Sequence, residues 1–261
     1  MRAAPAGAAL YRCLVPFTLS HAAAALPFAR TALPTAALVV GTMAPDLPYF
    51  LPLFLPREFS HSIAGVFTID LLVGLLAFLL WAFVLRAPLF DYSPGWLRER
   101  MPRLAFSHPL LVPLAIVIGA LTHIGLDVFT HEGSLDAVIP FMGQEFGPFS
   151  GANLVHGVFS VVGAVLIAMW VRRWVLRTPR VASSGLVSDG ERRRWTWVLA
   201  AAFLVLFAII WIAELASGVD VFDLHGLFVA FTIPVGIVGA VVVALCVVWR
   251  IRSSARLRSS P

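Results

Sequence analysis

The chain has 261 residues, of which 60% are hydrophobic and 13% charged, and its mean hydropathy is +0.91. Soluble domains are about 45–50% apolar and about 25% charged, so this composition excludes a soluble globule, a disordered chain and a disulfide scaffold. The net charge is +5, and all 19 basic residues are arginine. Because these arginines lie in short loops, as a topology signal does, no nucleic-acid partner is expected.

The first apolar stretch, residues 21–55, is interrupted by Arg30 and by five prolines. It fits either one distorted span or two short helices that form a re-entrant hairpin. Non-helical backbone at membrane depth survives only where it is buried in protein or lines a wet cavity.

Five stronger apolar segments follow, at residues 62–85, 110–129, 154–171, 195–216 and 226–249. Each has roughly the 17–25 residues with which a helix crosses a bilayer. The sequence therefore predicts an all-α, polytopic transmembrane bundle. It has either six spans or five full spans plus an N-terminal re-entrant hairpin.

The arginines predict the orientation of this bundle. They cluster in the loops 86–103 and 172–194 and after residue 249, whereas the loops 130–153 and 217–225 contain none. The positive-inside rule therefore predicts that the Arg-rich loops and the C-terminus are cytoplasmic. Residues 253–261 are expected to form a solvated Arg/Ser-rich cytoplasmic tail.

The histidines collect at the opposite, outer end in this topology. Five of the seven fall there, from four different predicted helices: His61, His123, His131, His156 and His225. His108 alone falls on the cytoplasmic side. Asp46 reaches the outer end as well if the stretch 21–55 turns back on itself. A shared metal or proton site is one interpretation of this convergence, and hydrogen bonding inside the bundle is the other.

The sharpest motif is His123-Ile-Gly-Leu-Asp127-Val-Phe-Thr-His131. On a helix, spacings of four and eight residues rotate by about 40° and 80°, so the three polar side chains share one stripe. Imidazole and carboxylate together suit Zn²⁺, Mn²⁺ or Fe²⁺. Alone, however, the His-x-x-x-Asp spacing is also compatible with helix packing.

The remaining polar residues are predicted to lie at helix breaks, at the membrane interface or between helices. Pro45 and Pro48 are expected to stop regular helix around Asp46 and to expose its carboxylate. His156 and His225 are interpreted as interfacial residues that begin a span. Asp70, nine residues after His61, is predicted to face away from it and to hydrogen-bond a neighbouring helix.

Four motifs in this order resemble an uncharacterised family of bacterial integral-membrane proteins, a domain of unknown function. They are Pro16-Phe-Thr-Leu-Ser-His21, Gly41-Thr-Met-Ala-Pro-Asp46, Ser60-His61-Ser62 and Thr122-His123-Ile-Gly-Leu-Asp127. The family is similar in turn to inner-membrane proteins assigned as metal-dependent hydrolases. More distantly, the order of the motifs is similar to that in zinc-dependent phospholipase C. The resemblance covers residues 15–160.

The resemblance implies a divalent-metal site, with zinc the expected ion, formed by His21, Asp46, His61, His123, Asp127 and His131. Asp46 and Asp127 are the candidates for a catalytic role, as ligand or general base. The phospholipase pattern continues with His-x-x-x-Glu and has an N-terminal Trp ligand. Here Ser160 stands at the position of that Glu and the Trp is missing, so one or two metals are expected rather than three.

The resemblance also has implications for the N-terminal region. His21 and Asp46 can share one membrane face only if the chain enters and returns between them, which favours the hairpin over a sixth span. Family members begin just before the Pro-Phe-Thr motif. Residues 1–14 are therefore expected to be an over-extended gene start, and residues 15–252 a single transmembrane domain.

Three functions remain open from the sequence. The first is a hydrolase embedded in the bacterial cytoplasmic membrane, with its metal site on the outer face and with phosphoesters or lipid head groups as substrates. The second is a structural or partner-binding membrane protein. The third is a metal or proton transporter, which the collection of polar residues at one end makes less favoured. Membrane lipid is the one partner expected.

Overall fold

The computed structural model describes residues 18–50, 56–100, 108–130, 135–147, 149–181, 186–220 and 224–259. Within these ranges the chain is almost entirely helical. The α-helices, in chain order, are α1 (Thr18–His21), α2 (Thr35–Gly41), α3 (Leu47–Phe50), α4 (Arg57–Ser60), α5 (Ile63–Gly65), α6 (Leu71–Leu80), α7 (Arg86–Tyr92), α8 (Gly95–Arg98), α9 (Leu111–Thr130), α10 (Gly151–Arg177), α11 (Asp189–Ala216) and α12 (Leu224–Ser259).

Five helical segments are long and apolar enough to cross a membrane: Ile63–Tyr92, Leu111–Thr130, Gly151–Arg177, Asp189–Ala216 and Gly226–Ala255. They correspond one to one with the predicted segments, so the all-α polytopic bundle is confirmed. The first span joins α5, α6 and α7 through two π-helical turns, Val66–Asp70 and Trp81–Leu85. Helix α12 continues to Ser259, so residues 253–259 of the predicted tail are helical in the structure.

The described part of the N-terminal stretch, residues 18–50, folds back on itself as a hairpin, and no helix within those residues is long enough to cross a membrane. Helix α1 continues as a 3₁₀-helix, Ala22–Phe28, and after a turn α2 brings the chain back. The returning chain then makes a second 3₁₀ turn, Ala44–Asp46, before α3. The outgoing arm packs on α10, and the returning arm packs on α9 and α6.

Two glycines let the backbone of the hairpin come into direct contact with the backbone of α9. A Cβ atom on Gly41 would collide with the carbonyl oxygen of Ile116, and one on Gly119 would collide with that of Leu38. Small residues serve this purpose in membrane bundles because they allow helix backbones to come close together. Leu38 and Ile116 are themselves fully buried in the apolar core between these elements.

A short β-hairpin precedes α10. Glu145–Phe146 pairs antiparallel with Phe149–Ser150, and Ser150 then caps α10 by accepting a hydrogen bond from the backbone N–H of Asn153. This places the start of α10, including His156, beside the end of α9.

The opposite end of the bundle is joined by a polar cluster around Asp91, which we call the Asp91 cluster. Asp91 Oδ2 accepts hydrogen bonds from the indole N–H of Trp249 at 2.7 Å and from the backbone N–H of Leu186 at 2.8 Å. Arg192 donates to the backbone carbonyls of Asp91 and Val187, both at 3.0 Å. The end of the first span, the start of α11 and the end of α12 are therefore fastened together.

Candidate metal centre

Five of the six predicted ligands lie in one buried cluster, which we call the His/Asp cluster. It comprises His21, Asp46, His61, His123 and Asp127, from the hairpin, the segment before the first span, and α9. His21, Asp46, His123 and Asp127 are buried, and the side chain of His61 is nearly so. The sixth, His131, lies outside the described residues.

The Asp46 carboxylate is presented by the turn that the two prolines create. Pro45 lies inside the 3₁₀ turn Ala44–Asp46, and Pro48 begins the next helical turn, so the chain changes helix type at Asp46. Burial alone raises the pKa of the Asp46 carboxyl, but the imidazoles of His123 and His61 outweigh burial and hold this pKa below its usual range. Asp46 is therefore a carboxylate at neutral pH.

His123 is oriented by the backbone of the hairpin. Its Nδ1 lies 2.8 Å from the carbonyl oxygen of Thr42, which directly follows Gly41. A carbonyl can only accept, so Nδ1 carries the proton and Nε2 points into the cluster. Metal-binding histidines are commonly held in this way, with the second ring nitrogen donating to a carbonyl.

His61 is oriented in the same manner by its own segment. It follows α4 directly, and its Nδ1 lies 3.2 Å from the carbonyl oxygen of Arg57 and 3.0 Å from Ser60 Oγ. Its Nε2 therefore also points inward. Among the described residues, neither this atom nor Nε2 of His123 forms a hydrogen bond of acceptable geometry.

The inward-pointing nitrogens face two carboxylate oxygens at closely similar distances. His61 Nε2 lies 3.3 Å from Asp46 Oδ1 and 3.4 Å from Asp127 Oδ2. His123 Nε2 lies 3.6 Å from each of the same two oxygens. Ligand atoms about 2.1 Å from a tetrahedral zinc ion are about 3.4 Å apart. The donor types and their spacing therefore fit a divalent metal.

His21 flanks this set. Its ring stacks on that of His123, with centroids 4.2 Å apart, and its Nε2 is 3.9 Å from Asp127 Oδ1. Burial, followed by the nearby His123, lowers the pKa of His21 to about 4. The imidazole is therefore neutral at pH 7, which is the form that binds metals. His21, His123 and Asp127 form one group of possible metal ligands, and it shares His123 with the other group, Asp46, His61 and His123.

A small cavity adjoins His21 on the side of α10. Its volume is about 30 Å³, and it is lined by Ser20, His21, Leu126, Thr130, His156, Phe159 and Ser160. One water molecule needs about that much space. His156 is buried and lines this cavity, whereas the sequence predicted an interfacial residue at the start of a span. The side chain of His225 lies outside the described part of the chain.

Asp70 differs from its predicted role. It is fully buried, and neither carboxylate oxygen has a hydrogen-bond partner in the described chain, so it is not a hydrogen bonder between helices. The prediction assumed one continuous helix from His61. Instead, the backbone of Ser62 is extended and a new helix begins at Ile63. A π-helical turn, Val66–Asp70, follows, so the spacing of an ideal helix does not apply between His61 and Asp70.

Arg57 was not predicted, and it contacts the cluster directly. Its Nη2 lies 3.2 Å from Asp127 Oδ2, and the Arg57 side chain is 37% exposed while that of Asp127 is 8% exposed. Arg57 thus connects the buried carboxylates with the outside. The Arg57-Glu58-Phe59-Ser60 segment gives no motif signal, although its position three residues before Ser60-His61-Ser62 could have drawn attention to it.

Comparison with protein families gives one clear result. A family model described as a domain of unknown function, DUF4184, matches residues 15–250. The chain belongs to this family. The match covers the hairpin, the His/Asp cluster, four spans and most of the fifth, so the predicted membership in a family of unknown function is confirmed. Neither the curated proteins nor the solved structures contain a match to the chain.

Proposed function

We propose that this protein is a membrane-embedded, metal-dependent hydrolase whose metal site is the His/Asp cluster. One observation carries the proposal: each of two imidazole Nε2 atoms lies 3.3–3.6 Å from each of two carboxylate oxygens. The other ring nitrogen of each imidazole lies within hydrogen-bond distance of a backbone carbonyl. A divalent cation bound at this place would replace the imidazole protons between these nitrogens and the carboxylates.

The ligand roles follow from these contacts. Asp46, His61, His123 and Asp127 would hold the metal, and His21 would complete the set or, with His123 and Asp127, contribute to a second ion. A bound divalent metal lowers the pKa of a water ligand and so supplies hydroxide near neutral pH. Zinc fits the mixed nitrogen and oxygen donors, so it is the ion we propose.

The residues around the ligands suggest the substrate class. Arg57 is half in the cluster and half exposed, so its guanidinium can contact an anionic group that approaches from outside. Guanidinium groups bind phosphate oxygens strongly and in a defined orientation. We therefore propose phosphoesters, including lipid head groups, as substrates. The water-sized cavity between His21 and His156 would hold a water molecule beside the reacting group.

The arginine distribution supports the location that we propose for this activity. The His/Asp cluster lies beside the start of the first span, whereas the Asp91 cluster, next to the Arg-rich loops, lies at the other end of that span. In a bacterial cytoplasmic membrane the cluster would then face outward and the C-terminus would be cytoplasmic.

The decisive experiment measures bound metal in the detergent-purified protein by inductively coupled plasma mass spectrometry. The variants are His123→Ala and Asp127→Ala, and the matched control is His108→Ala, an exposed histidine just before α9. We expect one or two equivalents of a transition metal in the wild type and the control, and loss of the metal in both cluster variants. A folded wild type that stays metal-free after reloading with zinc would overturn the proposal and leave a buried ion-pair cluster.

Hydrolysis is tested on the metal-loaded protein with bis(p-nitrophenyl) phosphate and with phospholipid vesicles. We expect turnover in the wild type. In Arg57→Gln we expect bound metal to be retained but turnover to fall by about 10²-fold, the usual scale for losing one charged group that stabilises developing negative charge. Full metal occupancy without turnover of either probe would contradict the enzymatic part and favour metal handling.

A further inference from the structure

A second concave site lies at the far end of α10 from His156. It is a cavity of about 540 Å³ between the tip of the hairpin and the last two turns of α10. The side chains that define it are Leu26, Arg30, Trp170, Arg173, Trp174 and Arg177. We call it the Arg/Trp pocket. Arg173 is about 26 Å along the helix from His156, at 1.5 Å per residue.

The pocket has two walls of different origin. The α10 wall consists of residues at helical spacings of three and four, so that Trp170, Arg173, Trp174 and Arg177 share one face. The other wall is the hairpin tip, from Leu26 to Arg30. The hairpin reaches this depth because its first arm runs along α10, from Ser20 against Gly163 to Arg30 beside Trp170.

The charged residues that line the pocket are all basic. Three guanidinium groups line it, and none of its lining residues is acidic. Within the described ranges, Arg30, Arg173 and Arg177 take part in no ion pair or hydrogen bond. Two arginines nearby behave differently: Arg100 donates to the carbonyls of Val175 and Thr178, and Arg180 pairs with Glu99 at 3.9 Å. Positive charge therefore accumulates in the pocket without a protein anion.

The remaining lining residues indicate what kind of anion fits. Trp170 and Trp174 are amphipathic rings of the type that lies at head-group level in membrane proteins. Leu26 and Pro27 add an apolar surface on the hairpin side. Arg100 ties the end of α10 to α8, so the pocket lies at the Arg-rich end of the bundle, where the helices leave the bilayer. A small soluble anion would use the arginines but not the apolar wall.

We propose that the Arg/Trp pocket binds an anionic phospholipid, with the phosphate between Arg30, Arg173 and Arg177 and the start of the acyl chains against Leu26 and the tryptophans. Basic pockets between membrane helices hold anionic head groups in this manner. The lipid would connect the hairpin tip to α10 and so fix the first arm of the hairpin, which carries His21. This proposal does not depend on metal binding at the His/Asp cluster.

The test measures retained lipid by native mass spectrometry after purification from vesicles of phosphatidylglycerol and phosphatidylcholine in equal amounts. The variant is Arg173→Gln/Arg177→Gln, and the charge-matched control is Arg172→Gln/Arg193→Gln, which removes two exposed arginines outside the pocket. We expect the wild type and the control to retain phosphatidylglycerol. At about 1 kcal/mol per arginine, the pocket variant should lose about tenfold or more of the bound lipid.

A second variant and a competitor make the result decisive. Arg30→Gln changes the opposite wall, so it should also weaken retention of phosphatidylglycerol, while leaving α10 unaltered. An equal loss in the control variant would mean non-specific surface attraction and would overturn the proposal. Displacement of the lipid by millimolar inorganic phosphate would overturn it too, because the site would then select a free anion.

Discussion

The His/Asp cluster and the Asp91 cluster both bury carboxylates, at opposite ends of the first span, but they differ in their supply of hydrogen-bond donors. At Asp91, an indole N–H, a backbone N–H and the Arg192 guanidinium all point toward the carboxylate or its backbone. At the His/Asp cluster, the Arg57 guanidinium reaches Asp127, and the other groups that face the carboxylates are imidazole nitrogens whose second ring nitrogen lies on a backbone carbonyl.

This difference indicates two separate roles. A buried carboxylate that already has its hydrogen-bond donors joins the helices around it. Two buried carboxylates beside several imidazoles are a set of metal-ligand groups, and a divalent cation can replace the imidazole protons between them. We therefore interpret the Asp91 cluster as a connection between helices, and we propose the His/Asp cluster as a binding site. Each of the following variants changes either the Asp91 cluster or the His/Asp cluster and the helix contacts that position it.

The largest effect is expected when the Asp91 cluster loses its charged donor. Arg192→Ala removes the guanidinium that donates to the carbonyls of Asp91 and Val187 and that also contacts the carboxylate of Asp189. Breaking a buried charged pair costs about 3–5 kcal/mol. We expect the free energy of unfolding in detergent to fall by about that much, with unchanged metal content in the protein that remains folded.

The matched control for this variant is Arg193→Ala, which removes the exposed neighbour. It should change the free energy of unfolding by less than about 0.5 kcal/mol, as surface changes generally do. Equal losses in the two variants would show that the Asp91 cluster does not fasten the helices, and the contrast with the His/Asp cluster would fail.

An intermediate effect is expected where the hairpin meets α9. Gly119→Ala places a methyl group against the carbonyl of Leu38, so the hairpin must move away from α9. Overpacking of this kind costs about 1–3 kcal/mol. The same movement should draw the Thr42 carbonyl away from His123, so metal content should fall together with stability.

Gly125→Ala is the control on the same helix. A Cβ atom there meets nothing within 4 Å, so the change should be neutral or should stabilise α9 by up to about 1 kcal/mol through helix propensity. Metal content should stay at the wild-type value. If Gly119→Ala keeps both its stability and its metal, the close approach does not position His123.

The sequence predicted the spans and most of the cluster for separate physical reasons. Hydropathy is summed over about twenty residues, so errors at single positions cancel. All five predicted spans agree with the structure. The His123–Asp127 pair was predictable because helical spacing alone places both on one stripe. The prolines around Asp46 marked the change of helix type that the structure has there.

Contacts across the chain were not predictable in this way. Arg57 reaches Asp127 from 70 residues away, and that depends on how α4 is placed before the first span. The Thr42 carbonyl carries no side-chain signal at all. Asp70 was misjudged because a break at Ser62 and a π-turn are not visible in an apolar pattern. The position of His156 beside the cavity depends on the packing of α10 against the hairpin, which a hydropathy pattern does not reveal.

The smallest effect is expected for Asp46→Asn in metal-free protein. Because the imidazoles of His123 and His61 hold the pKa of Asp46 below its usual range, its carboxylate stabilises the fold at neutral pH, and removing the charge should lower the free energy of unfolding by up to about 1 kcal/mol. The same change in the Asp91 cluster, Asp91→Asn, should cost more, about 1–3 kcal/mol, because a satisfied carboxylate is replaced by an amide that opposes Arg192.

Metal enlarges the effect at Asp46 alone. At free zinc 100 times the dissociation constant, binding adds about 2.7 kcal/mol to the wild type, and Asp46→Asn loses most of that gain, while Asp91→Asn keeps it. Unfolding followed with and without zinc measures the metal-free effect and the metal-dependent effect in one experiment. If zinc stabilised Asp46→Asn as much as the wild type, Asp46 would not hold the metal. The two clusters would then be alike, since the carboxylate of neither would need a cation.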